Sequence, residues 1–132
     1  MIALDSNVLV SLLADDDVRQ CARARSAVAS AEAHGDKVHV NDVVLAETMW
    51  TMTRRYKTPK SKIVEIARGL LDSGTFEFES RACLEETLRL FERSSADFSD
   101  CLIVAKNAAA GCRSTLTFDA ECIKLPTAIA VW

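Results

Sequence analysis

The feature that most constrains this chain is an alternation of short apolar runs with longer stretches of helical periodicity. Ile2 to Leu4 is the first run. It ends abruptly at Asp5 and suits a strand buried on both faces. Lys37–Val40, Thr75–Phe78, Ser114–Phe118 and Thr127–Val131 read as four further strands. Between them the sequence predicts a short helix over Val8–Leu13 and a second from Asp16 to about Ala33, stopped by Gly35 and Asp36. Asn41 or Asp42 can cap a third helix running to Tyr56. Thr58 and Pro59 read as a cap followed by proline at the first helical position of a fourth, which reaches about Leu71. Ser80 can cap a helix through Phe91, and Asp97 opens one that ends near Gly111. Strands alternating with helices in this way predict an α/β sandwich with a mostly parallel sheet. In such sheets ligands bind beyond the carboxyl ends of the strands.

At 132 residues the expectation is a single domain spanning 1–132. Hydrophobic residues make up 49% and charged residues 27%, as in an ordinary globular protein. No apolar run approaches the roughly 20 residues needed to span a membrane, and no secretory signal pattern is present. The expected compartment is therefore the cytoplasm. Cys21, Cys83, Cys101, Cys112 and Cys122 form no C-x-x-C pair, and an odd number cannot all pair internally. They read as free core thiols in a reducing compartment rather than as zinc ligands.

The formal net charge of −3 offers a polyanion no general attraction. That counts against a simple nucleic-acid-binding module. It counts less against an enzyme whose carboxylates are engaged by divalent cations.

Several acids fall where such chemistry would sit. Asp5 follows the first strand and Asp119 the fourth, which places both at the active edge of the sheet. Asp5-Ser6-Asn7 also offers three capping residues in succession, so a cap is the competing reading of Asp5. Glu47 lies three and four residues from Val43, Val44 and Trp50, which predicts a carboxylate on an apolar face. That placement is costly unless a metal or a buried arginine neutralises it. Trp50 itself reads as core. Asp97 and Asp100 are neighbours at a helix start, where a capping box explains them as readily as a metal does. Magnesium prefers oxygen ligands, so several carboxylates converging from different parts of the chain could hold one or two ions. No histidine is needed, and neither His34 nor His39 is assigned a catalytic role.

At these residues the sequence resembles the PIN-domain family, specifically the VapC-type toxin ribonucleases. The resemblance is carried by Leu4–Val10, Val44–Thr48, Ala96–Ile103 and Leu116–Asp119, spread over nearly the whole chain in the family's order. It implies a three-layer α/β/α sandwich with a five-stranded mostly parallel sheet. It also implies that Asp5, Glu47, Asp100 and Asp119 form an acidic quartet binding Mg2+ or Mn2+, with Asp97 an additional acid. Asn7 and Thr117 match polar positions that orient the acids. The implied activity is metal-dependent cleavage of RNA (tRNA, rRNA or mRNA). The implied partners are a cognate antitoxin protein and a second copy of the chain in a homodimer. A catalytically weak PIN-like RNA-binding or scaffold module is the alternative.

Arg54, Arg55 and Lys57, with Lys60 and Lys62, surround the junction of two helices and are candidates to hold an RNA backbone. Arg54 follows Glu47 by seven residues and so shares its face. Two other metal-assisted phosphotransfer folds also begin with an acid after strand one. A haloacid-dehalogenase-type phosphatase needs a second Asp where this chain has Asn7. A response-regulator receiver needs an acidic pair there and an Asp after strand three, where Ser80-Arg81 stands.

Overall fold

The polar break at Asp5 sets the first turn of the fold. In the computed structural model, which describes all 132 residues, Asp5 has an extended backbone and its Oδ1 accepts from the Ser6 N–H at 2.7 Å. By contacts the chain divides into two compact units, Met1–Glu79 and Ser80–Trp132.

The first unit runs β1 (Ile2–Ala3), α1 (Ser6–Ala14), α2 (Val18–Ala33), β2 (Val38–Val40), α3 (Asp42–Arg54), α4 (Lys60–Asp72) and β3 (Phe76–Phe78). Its strands are parallel in the order β1-β2-β3, with Ile2 opposite Val38 and Val38 opposite Phe76. Parallel neighbours need crossover connections, and the helices supply them. α2 buries Cys21, Ala24, Val28 and Ala31, one stripe at helical spacing, which explains its richness in small residues. Leu9, Val38, Val40, Leu45, Met49 and Ile63 are fully buried. Burial of each such side chain stabilises by about 1.5–3 kcal/mol.

The second unit holds α5 (Arg81–Glu92), α6 (Phe98–Ala109), β4 (Thr115–Thr117), a 3-10 turn at Cys122–Lys124 and β5 (Ala128–Ala130). β4 and β5 pair in parallel, with Leu116 opposite Ile129. α5 and α6 bury Leu84, Leu88 and Cys101, and Phe91 meets Phe98 edge-on with ring centroids 5.8 Å apart.

All five predicted strands form and all are parallel, so the α/β class holds. They are paired as a three-stranded and a two-stranded sheet rather than as one five-stranded sheet. Each pairing registers only two or three residues.

The caps largely follow the sequence. Asn41, rather than Asp42, caps α3 by accepting from the Val44 N–H at 2.8 Å. Ser80 caps α5, and Asp97 caps α6. Pro59 does not occupy the first helical position; it is the extended cap residue itself, without a side-chain cap bond, and the helix starts at Lys60. A strand buried on both faces was expected at the N-terminus, yet Ile2 and Ala3 are exposed and burial begins at Leu4. Four cysteines are buried free thiols and Cys112 is exposed, so the core reading fails for that one. No helix is long and apolar enough to cross a membrane.

Candidate active site

Two groups of acids, one in each unit, are assembled by the local structure around them. In the first unit, Asp5 is fixed by its cap bond at the end of the β1 segment. The next residue, Ser6, donates from Oγ to Glu47 Oε2 at 2.8 Å, and the same oxygen lies 3.5 Å from Asp5 Oδ1. One hydroxyl thus ties two carboxylates that are 42 residues apart in the chain, in keeping with the packing of α1 against α3.

Glu47 is not where the apolar pattern put it. Val43 is 64% and Trp50 59% exposed, and Glu47 between them is exposed as well. α3 buries Val44, Leu45, Thr48, Met49 and Met52 instead. Apolar residues occupy more than half the helix circumference, so periodicity alone chose the wrong face. Glu47 therefore carries no desolvation cost, and Trp50 is not core. Arg54 lies on the same exposed stripe.

In the second unit, Asp97 Oδ1 accepts from the Asp100 N–H at 2.8 Å and so caps α6. Asp100 returns no bond, so only half of a capping box forms. The Asp100 carboxyl is partly buried without a hydrogen-bond partner. Burial raises its pKa, and the neighbouring charges of Asp97 and Asp119 raise it further. Asp119 follows β4. Its Oδ1 accepts from the Glu121 and Cys122 N–H groups at 2.8 and 2.9 Å, which pins the 3-10 turn. Its own N–H donates to Thr117 Oγ1 at 3.0 Å, so Thr117 steadies the backbone at the acid. Burial raises the pKa of the Cys122 thiol, a hydrogen bond with Thr117 opposes that, and the charges of Asp100, Asp119 and Asp97 raise it further.

The other sequence candidates fall as follows. Asn7, on α1, makes no bond to either acid of its unit; Ser6 does that work. The sequence marks Ser6 only as one of three capping residues, and its contact with Glu47 has no local sequence signal. Arg55 lies 3.8 Å from Asp16, while Lys57 is exposed in the left-handed backbone region (φ 54°). Lys62 pairs with Glu65 within α4. His39 sits on β2 beside Glu77 of β3, and His34 bonds the Ser30 carbonyl.

All these ligand candidates are hard carboxylate oxygens, the donor type that divalent Mg2+ or Mn2+ selects. The charges of Asp97 and Asp119 acting on Asp100 also form an environment that a cation would relieve. As the side chains stand, no three His, Cys, Asp or Glu are gathered around one point. A magnesium site does not demand that, since the ion keeps several waters and often uses only one or two carboxylates.

A family model described as PIN domain matches residues 2–127. The chain is also similar to a VapC ribonuclease of Aquifex aeolicus (strain VF5). The two are 23% identical over 125 residues, covering 95% of this chain and 92% of that protein.

Proposed function

Because the chain belongs to the PIN-domain family, we propose that it is an endoribonuclease, the toxin of a toxin–antitoxin pair, and a single domain over residues 1–132. The observation that carries this reading is the Ser6 hydroxyl, which draws Glu47 to Asp5 although nothing in the local sequence requires it. The similarity to a VapC ribonuclease along nearly the full length of both chains supports it.

In this reading Asp5, Glu47, Asp100 and Asp119 would hold Mg2+ or Mn2+, with Asp97 as an additional ligand and Thr117 as a support. The chemistry a bound ion supplies is an activated water and charge opposite the phosphate. The chain's own contribution is preorganisation: the cap bonds and the Ser6 bridge fix carboxylates before substrate arrives. Arg54, Arg55 and Lys57 contact the RNA backbone, whose attraction the net charge of −3 does not provide. The cognate partners are an antitoxin protein and a second copy of the chain, and the working compartment is the cytoplasm. Leu116, Phe118, Ile129 and Trp132, apolar and exposed on and beside β4 and β5, support a protein-covered surface.

The test is cleavage of total tRNA and rRNA by purified protein with Mg2+ or Mn2+, with EDTA, and with Asp5→Asn. Discrete fragments that need the metal and vanish in the variant are expected. RNA held intact by the metal-loaded, folded protein would instead favour the binding-module reading.

A further inference from the structure

Beside the Ser6 bridge, within the first unit, a cavity of about 340 Å3 opens among α1, the start of α2 and the end of α3. Ser6 is one of its walls; Asn7, Gln20, Thr51, Arg55 and Tyr56 are others. The volume is at the lower end of small-molecule sites, room for one flat ring system and little more.

One side of the cavity is tied together by side-chain contacts. Asp16 accepts from the Tyr56 hydroxyl and lies 3.8 Å from Arg55, and the Arg55 guanidinium carbon is 5.4 Å from the Tyr56 ring centre. The backbone flanking this arrangement turns on both sides, at Asp15 as the left-handed cap that ends α1 and at Lys57 after α3. Asp15, just before Asp16, and Lys57, just after Tyr56, both adopt left-handed conformations with φ 54°. Aspartate tolerates that region, whereas a lysine there costs roughly 1 kcal/mol or more.

The remaining walls carry exposed polar side chains. The side-chain amides of Asn7 and Gln20 make no hydrogen bond within the protein, and each offers a donor and an acceptor. Two carboxylates, Asp16 and Asp17, line the cavity against one guanidinium, so a phosphate is disfavoured there. A neutral ring with N–H donors and acceptors on its edge suits it. Unstacked RNA bases are recognised in this way, by stacking on an aromatic or guanidinium plane and by hydrogen bonds along the edge.

We propose that this cavity receives one nucleobase of the RNA strand, next to the phosphodiester presented to Asp5 and Glu47, and that Gln20 and Tyr56 set which base is accepted. The inference rests on the ribonuclease reading for its strand but not for its binding test. That test follows the Asn7 and Gln20 side-chain amide signals by NMR during titration with each of the four nucleoside 5′-monophosphates and with ribose 5-phosphate. Saturable shifts at both amides, strongest for one base and lost in Gln20→Ala, are expected. No shift, or equal shifts with ribose 5-phosphate, overturns the proposal whether or not RNA is cleaved. Where the wild type cleaves, RNAs varied one base at a time around the cut are compared for Gln20→Ala and Tyr56→Phe. Preference for the favoured base should fall roughly tenfold, with melting temperature unchanged in Gln20→Ala and lowered by no more than the loss of one hydrogen bond in Tyr56→Phe, whose hydroxyl bonds Asp16. Variants that discriminate as the wild type does would also overturn it. Wild-type shifts without any cleavage would refute the enzyme and leave the base site standing.

Discussion

The Ser6 hydroxyl donates to Glu47 at 2.8 Å, joining the first turn of α1 to the exposed face of α3. Ser6→Ala removes that bond while leaving the Asp5 cap, which uses the Ser6 backbone N–H. The loss in stability should not exceed about 0.5–1.5 kcal/mol. RNA cleavage should fall roughly 10- to 100-fold, as for other groups that orient metal ligands. Ser6→Thr should recover part of it. Single-turnover rates with thermal unfolding measure both, and an unchanged rate in Ser6→Ala would remove Ser6 from the site.

Asp119 has two separable duties. Its Oδ1 holds the turn at Glu121 and Cys122, and the proposal also makes it a metal ligand. Asp119→Asn keeps an acceptor for the turn, so its stability should stay near that of the wild type. Asp119→Ala should lose about 0.5–2 kcal/mol, the range for a lost cap. Both should lose cleavage. Wild-type rates in Asp119→Asn would show that the acid is structural only.

Asp100 gives a pH prediction with a definite sign. Its pKa is raised in the folded chain, first by burial and then by Asp97 and Asp119. The folded state therefore binds this proton more tightly than the unfolded state. That stabilisation is complete below the ordinary value of 3.8 and is lost as pH rises through the raised folded value. At neutral pH without divalent ions, the ionised carboxylate opposes folding. Asp100→Asn should then melt at a higher temperature than the wild type in EDTA, with the advantage shrinking as pH falls towards 4. Melting curves from pH 4 to 8 decide it, and a less stable variant at pH 7 would contradict the repulsion argument.

Trp50 and Met49 are adjacent in α3 but point to different environments, one largely exposed and one fully buried. Trp50→Ala should change stability by less than about 0.5 kcal/mol. Met49→Ala should cost about 2–5 kcal/mol. Urea unfolding of the two variants gives the contrast directly. Equal losses would mean that α3 presents a different face.

Much of the fold was legible because its signals are local. Asp97 and Ser80 cap helices because a short polar side chain reaches a backbone N–H three residues on, and that reach is written in the sequence. Pro59 was misread by one position. Its fixed φ suits both a cap and a first helical residue, and only the extended ψ of 156° distinguishes them. Trp50 and Glu47 were misread for a different reason. α3 has apolar residues on two faces, and its own sequence does not say which face the neighbouring elements cover. The candidate acids were named from strand ends and family resemblance, whereas Ser6 was seen only as a capping residue.

The sequence by itself determined the order of helices and strands, their parallel α/β class and the positions of the acids after β1 and β4. These follow from periodicity, capping and chain reach, which act over a few residues. Only the tertiary structure decided that Glu47 would meet Ser6, that Trp50 would face outward, and that the strands would pair in sets of three and two. Those outcomes depend on which surfaces of distant elements cover one another, a competition among contacts that no local pattern encodes.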